Sequence, residues 1–177
     1  DFIRQHADHV MVITCGSSIP IMLENDITPD VHVEIENVPE AFDILSKVAK
    51  KYDLSTVRLM GSTTINPRIP ALFEKIFFYF RGGIAPYHQF RTGPDTEIRD
   101  AGPSVANLGI ALAGELGCDQ VCLFGVDLGF HDPERHHASD TAYMQGELEF
   151  ELLGDLLKSD ANFGGDIFTN QFYLRAQ

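Results

Sequence analysis

The chain has 177 residues, a formal net charge of −13 and 44% hydrophobic residues. This length and composition suit one globular domain with a sizeable core, and they exclude a disordered chain. No apolar run is as long as the roughly 18–20 residues that a membrane-spanning helix needs, and no signal-peptide pattern opens the sequence. The acidic balance argues against non-specific binding to nucleic acid or to an anionic membrane, since both require a basic surface.

The three cysteines form no C-x-x-C pair. Because Cys15 and Cys122 stand in apolar runs typical of strands, we expect buried free thiols and a cytoplasmic protein. The residues after Asp1 resemble the inside of a helix, and those before Gln177 resemble the start of another. We therefore expect residues 1–177 to form a single domain excised from a longer protein.

Predicted strands and helices alternate along the first part of the chain. Apolar runs predict strands at Val10–Thr14, Val31–Glu36, Thr56–Met60 and Ile76–Phe80. Helices are predicted between them, over Ser17–Glu24, Ala41–Lys51 (with Pro39 in its first turn) and around Pro70–Lys75. In the second strand, alternation predicts one apolar face and one half-solvated face that carries His32, Glu34 and Glu36.

The clearest helix–strand unit begins at Ser104. Apolar residues then recur at spacings of three and four, which indicates an amphipathic helix, and Gly117 is placed to end it. The run Val121–Val126 is uninterrupted and apolar, which predicts a central, fully buried parallel strand packed beside this helix. Asp127 stands at the carboxyl end of that strand.

The alternation of elements predicts an α/β fold: a doubly wound, mostly parallel, Rossmann-like sheet. The pattern changes beyond Asp127, because residues 127–160 hold nine acidic and two basic residues. We expect a strongly solvated, lid-like excursion there, followed by a strand pair formed by Leu148–Leu152 and Ile167–Thr169.

Small and polar residues follow the predicted strands, where ligands bind in open α/β sheets. The Ser104 helix start offers free N–H groups and a positive dipole end, which attract an anion, although a simple serine cap is the alternative interpretation. Asp127 can accept hydrogen bonds from a ribose or form a turn. The candidate binding residues are Glu36, Gly61, Ser62, Gly102, Ser104, Asn107 and Asp127.

Three histidines lie in the acidic segment, and their spacing matches no strong metal-ligand motif. No metal site is therefore predicted. A single histidine acting as a general base is favoured over a metal cluster, because imidazole titrates near neutral pH. The candidate is His131, four residues past Asp127.

Three segments resemble a known family. The motif Gly102-Pro103-Ser104-Val105-Ala106-Asn107, the later stretch Leu123–Phe130 and the earlier stretch Ile27–Glu36 resemble the central domain of bacterial motility accessory factors. The resemblance covers roughly Val10 to Thr169 and implies a Rossmann-like sheet similar to that of bacterial sialyltransferases. Members of this family open the domain with a strand and a Gly-Pro-Ser-type loop, and none precedes Asp1. We therefore expect the sheet to lack its first strand.

This resemblance implies a glycosyltransferase of flagellin glycosylation. Such an enzyme would transfer a nonulosonic acid, such as pseudaminic or legionaminic acid, from a CMP-activated donor to serine or threonine of flagellin. The expected partners are the nucleotide sugar and flagellin, with no separate cofactor. The resemblance places Ser104 and Asn107 at a helix start that faces the nucleotide, and Asp127 at the matching strand end.

Two alternatives remain open. An archaeal branch of the same superfamily includes a hydroxymethyldihydropterin pyrophosphokinase, so a pyrophosphokinase-like enzyme is the first alternative. It would need Mg²⁺, held by carboxylates such as Glu36 and Asp127. The second is a non-catalytic module that binds a nucleotide sugar or flagellin. Consumption of ATP with a pterin substrate would distinguish the first, and nucleotide binding without turnover would distinguish the second.

Overall fold

A computed structural model describes residues 2–82, 89–90, 97–132, 135, 156–160 and 166–176. The chain divides into two compact units, residues 1–119 and residues 120–177. The first unit contains the parallel sheet, and the second contains a small antiparallel strand pair. The prediction that residues 1–177 form a single domain stays a prediction.

The first unit is built on a five-stranded sheet in the order β1-β2-β3-β4-β5, with every neighbouring pair parallel. This arrangement, with helices flanking the sheet, confirms the predicted Rossmann-like α/β fold. Because the strands are parallel, their carboxyl ends meet at one edge. The strands are β1 (Ile13–Cys15), β2 (Val31–Glu34), β3 (Arg58–Ser62), β4 (Lys75–Arg81) and β5 (Glu97–Ile98).

Helices connect these strands, largely where the sequence predicts them. Pro39 occupies the first turn of a long helix, as predicted. The helix expected around Pro70–Lys75 is instead a single 3₁₀ turn, Ile69–Leu72, because β4 already begins at Lys75. The helices of the first unit are α1 (Phe2–His6), α2 (Ile19–Glu24), α3 (Pro39–Lys51) and α4 (Val105–Glu115), and further 3₁₀ turns span Ala7–His9 and Gly16–Ser18.

Apolar residues pack on both faces of the sheet. One core joins α2 and α3 to the sheet and is formed by Ile19, Leu23, Ala41, Leu45, Val48, Leu54, Val57, Leu59, Ile65, Ile69 and Phe73. The other joins α4 to the sheet and is formed by Val31, Val33, Ile35, Tyr79, Ile98, Ala101, Leu108 and Leu112. The sheet is therefore covered by helices on both sides, and its strands follow one another in chain order.

The prediction of a half-solvated face on β2 was wrong for two of its three residues. His32 is 0% exposed and Glu34 is 3% exposed, whereas Glu36 is exposed, beyond the strand end. The strand lies between β1 and β3, so its second face is buried as well. His32 is accommodated there because its Nδ1 lies 3.1 Å from Thr14 Oγ1 and its ring stacks on Phe73.

The prediction of a central, buried strand over Val121–Val126 was also wrong. No strand is assigned to these residues, and Val121, Leu123 and Phe124 are exposed. The backbone turns at Gly125, which has a positive φ of 67°. Such a φ is incompatible with an extended strand. An apolar run is buried only if neighbouring elements cover it, and the sequence of the run does not specify those neighbours.

The second unit contains β6 (Leu157–Asp160) and β7 (Asp166–Thr169), which pair antiparallel, and the helix α5 (Gln171–Ala176). The predicted strand at Ile167–Thr169 is confirmed. Its partner is β6, whereas Leu148–Leu152 and most of the expected acidic lid lie outside the described residues. No helix among the described residues is both long and apolar enough to span a membrane.

Candidate functional site

The start of α4 is closed by a reciprocal pair of side chains. Ser104 Oγ accepts a hydrogen bond from the Asn107 amide at 3.4 Å and donates one to Asn107 Oδ1 at 2.7 Å. Asn107 Oδ1 also accepts from the Ser104 amide at 3.1 Å. This is the capping-box arrangement, which satisfies two amides at the helix start. The structure therefore supports the interpretation of Ser104 as a cap, and a ligand-binding role for either side chain stays a prediction.

The same helix start lies at the carboxyl edge of the sheet. A Cβ atom placed on Gly16, directly after β1, would lie 3.3 Å from Val105 Cγ1. A Cβ atom on Gly102 would lie 3.4 Å from Nη2 of Arg81, the last residue of β4. The segment from Gly102 to Val105, which leads into α4, thus extends across the edge from the end of β1 to the end of β4.

Two glutamates lie at the end of β2. Glu34 Oε1 accepts hydrogen bonds from the amides of Ile35 and Glu36, at 2.8 and 2.9 Å, while its Oε2 lies 3.8 Å from His32 Nε2. Partial desolvation, and then the charge of Glu34, raise the pKa of Glu36, and Arg81 opposes the shift. Glu36 is exposed and can accept hydrogen bonds from a ligand at this edge.

The end of β3 has a buried hydroxyl pair. Ser62 is fully buried, and its Oγ lies 2.9 Å from Thr64 Oγ1. Gly61 packs closely against Ile65, since a Cβ atom on Gly61 would lie 2.6 Å from Cδ1 at the end of the Ile65 side chain. The predicted binding residue Gly61 thus lies against Ile65, and Ser62 already has a hydrogen-bond partner.

Tyr79, on β4, has an unusual environment. It pairs with Ser62 in the strand register and is 2% exposed, and its hydroxyl has no hydrogen-bond partner among the described residues. Desolvation is the main cause that raises the pKa of Tyr79 to about 12, while the charge of Arg81 and the nearby Ser62 hydroxyl act in the opposite direction. The residue therefore remains a neutral hydrogen-bond donor at physiological pH.

The structure brings six of the eight predicted site residues to this edge: Glu36, Gly61, Ser62, Gly102, Ser104 and Asn107. Asp127 and His131 belong to the second unit and are not placed relative to that edge. The sequence analysis missed Glu34, Tyr79 and Arg81 as site residues. Arg81 directly follows the predicted strand Ile76–Phe80, so the rule that ligands bind at strand ends could have found it.

Within the described ranges, no group of three or more His, Cys, Asp or Glu side chains is arranged to hold a metal ion.

A surface cavity lies at the opposite edge of the sheet, near the amino ends of the strands. It is lined by Asp8, His9, Val10, Met11, Asp30, Val31, Arg58 and Leu116.

Comparison with known proteins identifies the family. A family model described as 6-hydroxymethylpterin diphosphokinase MptE-like matches residues 1–133. The chain belongs to this MptE-like family. This MptE-like chain is also similar to the solved structure of a MAf glycosyltransferase from Magnetospirillum magneticum AMB-1, with 30% sequence identity and a TM-score of 0.80. No curated protein matches it.

The match to the MAf glycosyltransferase covers very different shares of the two chains. It covers 98% of this chain and 25% of the other, so the MptE-like chain spans about a quarter of its neighbour's length. The predicted resemblance to motility accessory factors and to hydroxymethylpterin pyrophosphokinases is confirmed by the two matches together.

Proposed function

We propose that the chain is the nucleotide-sugar-binding domain of a glycosyltransferase, which transfers a nonulosonic acid from a CMP-activated donor to serine or threonine of flagellin. The observation that carries the proposal is the similarity to a MAf glycosyltransferase over 98% of the chain, at 30% identity. The three free cysteines favour a cytoplasmic location, where thiols stay reduced.

The carboxyl edge of the sheet supplies groups that suit such a donor. Transfer of the sugar leaves CMP, whose phosphate gains negative charge as the glycosidic bond breaks. Electrostatic stabilisation of that charge lowers the barrier. The free amides and dipole of α4 and the guanidinium of Arg81 can supply it, whereas Glu36 can accept hydrogen bonds from hydroxyl groups. The capping box leaves the backbone amides, rather than the Ser104 side chain, as the donors from α4.

The reaction also needs a base to take the proton from the acceptor hydroxyl. We assign this role to His131, with Asp127 accepting hydrogen bonds from sugar hydroxyls. Both assignments are proposals, which follow from the sequence positions of these residues rather than from a contact.

The test is a transfer assay with the purified full-length protein, flagellin and a CMP-activated nonulosonic acid. We expect release of CMP together with a matching increase in flagellin mass, and loss of both with His131→Ala. His9→Ala is the control, because His9 lies at the opposite edge of the sheet. Binding of CMP without turnover would instead indicate a non-catalytic nucleotide-binding module.

The family match favours a second candidate, a pyrophosphokinase acting on 6-hydroxymethyl-7,8-dihydropterin. This reaction requires Mg²⁺ and carboxylate ligands. Glu36 and Glu34 Oε2, which lies 3.8 Å from His32 Nε2, are the carboxylate oxygens at the edge that would hold it, and Mg²⁺ would neutralise the phosphates of ATP when bound. The expected result for this candidate is Mg²⁺-dependent formation of AMP from ATP and the pterin, which a glycosyltransferase would not give.

A further inference from the structure

We propose that Tyr79 and Arg81 form a phosphate-binding subsite at the carboxyl end of β4, beside the first turn of α4. The inference rests on the proposed function and deepens it, because it assigns the residues that hold the phosphate of the nucleotide. The chemistry recognised is a phosphate oxyanion, which a nucleoside monophosphate and pyrophosphate share.

The first observation is the buried hydroxyl of Tyr79. It makes no hydrogen bond of good geometry among the described residues. The Ser62 hydroxyl is close enough to lower the pKa of Tyr79, but Ser62 Oγ is engaged with Thr64 Oγ1 at 2.9 Å. A buried polar group without a partner lowers the stability of a fold, so native structures rarely keep one without a reason. Phenylalanine would fill the same space without that cost. The hydroxyl is therefore explained by a ligand atom that accepts a hydrogen bond from it.

The second observation is that donors converge on the face of the sheet that α4 covers. Tyr79 packs in the same core as Leu108 of α4, and side-chain alternation places Arg81 on the face that carries Tyr79. The close approach of Gly102 to Arg81 Nη2, at 3.4 Å from an added Cβ, brings the guanidinium to the start of α4. A phenol, a guanidinium and helix-start amides all donate hydrogen bonds, which is the pattern that an oxyanion requires.

Glu34 and Glu36 oppose an anion here, and Glu97 Oε1 lies against Gly82, the residue after Arg81. The charge of Glu34 acts on Tyr79, and the charges of Glu34 and Arg81 both act on Glu36. Glu34 is held by two amides, and it lies on the face of β2 opposite to Val33, which belongs to the α4 core. Arg81 and the dipole of α4 must therefore supply the net attraction. Loss of Arg81 should weaken phosphate binding more than loss of the Tyr79 hydroxyl.

The test is calorimetry on the purified full-length protein with CMP, cytidine and inorganic pyrophosphate as separate probes. Tyr79→Phe should weaken CMP binding about 10-fold, and Arg81→Gln more strongly, in line with hydrogen bonds to a charged group. Cytidine binding should stay within about twofold of the parent, because cytidine has no phosphate. Tyr52→Phe and Arg68→Gln are the matched controls and should leave CMP binding unchanged.

The thermal midpoint of Tyr79→Phe should equal or exceed that of the parent, since the variant loses an unpartnered buried hydroxyl. If Tyr79→Phe does not fold, Arg81→Gln, at a half-buried strand end, decides the question alone.

The outcomes separate the two proposals. Variants that bind CMP as the parent does, while the parent prefers CMP to cytidine, would overturn the subsite and leave the proposed function standing. A parent that binds pyrophosphate through Tyr79 and Arg81 but does not bind CMP would support the subsite and contradict the CMP-sugar function. A parent that binds neither phosphate probe would overturn both.

Discussion

At the residue scale, several polar side chains of the carboxyl edge already have hydrogen-bond partners within the protein. Ser104 and Asn107 cap α4, and Glu34 accepts from two amides. Tyr79 differs from them, because its hydroxyl has no partner within the part of the chain that the structure describes. Side chains of the first kind set the shape of the edge, whereas Tyr79 is left available to a ligand.

The cap at Ser104 can be separated from ligand binding by two substitutions. Ser104→Ala should lower the free energy of unfolding by about 1 kcal/mol, because it removes the cap. Ser104→Asp should retain the stability, since aspartate caps helices well and its charge suits the helix dipole. It should nevertheless weaken CMP binding by repelling the phosphate. Urea denaturation and calorimetry measure the two effects. Parental CMP affinity in a folded Ser104→Asp protein would contradict phosphate binding at α4.

The cysteines should differ in reactivity. Burial, and then the charge of Glu34, raise the pKa of Cys15 to about 11, so its thiol is protonated at pH 8 and reacts slowly. Cys122 is exposed, contrary to the expectation of buried thiols, and Cys118 is half-buried. After brief alkylation at pH 8, mass spectrometry should find Cys122 modified first and Cys15 last. All three should react at similar rates in denaturant. Equal rates in the folded protein would contradict this ordering.

At the element scale, the position of α4 depends on close contact with β1. A Cβ atom on Gly109 would lie only 2.7 Å from Cys15 Sγ. The helix therefore packs directly on the end of β1, and this contact helps to fix where the first turn of α4 lies along the carboxyl edge.

Two glycines of α4 should respond oppositely to alanine. Gly109→Ala should destabilise the protein by about 1–3 kcal/mol through overpacking. A Cβ atom on Gly114 would have no neighbouring atom within 4 Å. Gly114→Ala should therefore stabilise the protein by up to about 1 kcal/mol, because alanine favours the helix. Cys15→Ala should reduce the cost of Gly109→Ala in a double-mutant cycle. Chemical denaturation measures all four proteins, and an equal effect of the two glycine substitutions would refute the close packing.

Elements with strong local signals could be predicted from the sequence. The helices α3 and α4 were predicted from proline at a first turn, apolar spacing and a glycine at the end, and β4 from its apolar run. Val121–Val126 was mispredicted, because burial depends on neighbours that a run of apolar residues does not specify. The burial of His32 and Glu34 could not be predicted for the same reason, since the strand order decides which faces of a strand are covered.

At the scale of the whole molecule, the location of the candidate site could be predicted from the order of strands and helices alone. Parallel strands bring Glu36, Ser62 and Ser104 to one edge, and the rule for α/β sheets locates ligands there. The role of Tyr79 could not be predicted, because an unpartnered hydroxyl is recognised only when its surroundings are known. The roles of Asp127 and His131 remain predictions.

Alkaline pH should destabilise the protein. Cys15 and Tyr79 have pKa values raised to about 11 and about 12 in the folded state, from 9.0 and 10.0. Their protonated forms are favoured by folding, so their contribution is fully present below pH 9 and is lost as the pH rises towards 12. Urea denaturation from pH 8 to 11 should show a falling free energy of unfolding, with a smaller slope for Cys15→Ala. An identical slope in that variant would contradict the assignment.

The central claim is that a nucleotide binds at the carboxyl edge of the parallel sheet, next to α4. Hydrogen exchange of the full-length protein, followed by mass spectrometry with and without saturating CMP, tests it most directly. We predict slower exchange in peptides that cover residues 16–18, 62–64 and 104–107, because bound CMP would shield these amides. Peptides at the opposite edge, around Val10, Met11 and Arg58, should not change. Protection confined to that opposite edge, or no protection at the carboxyl edge, would contradict the claim.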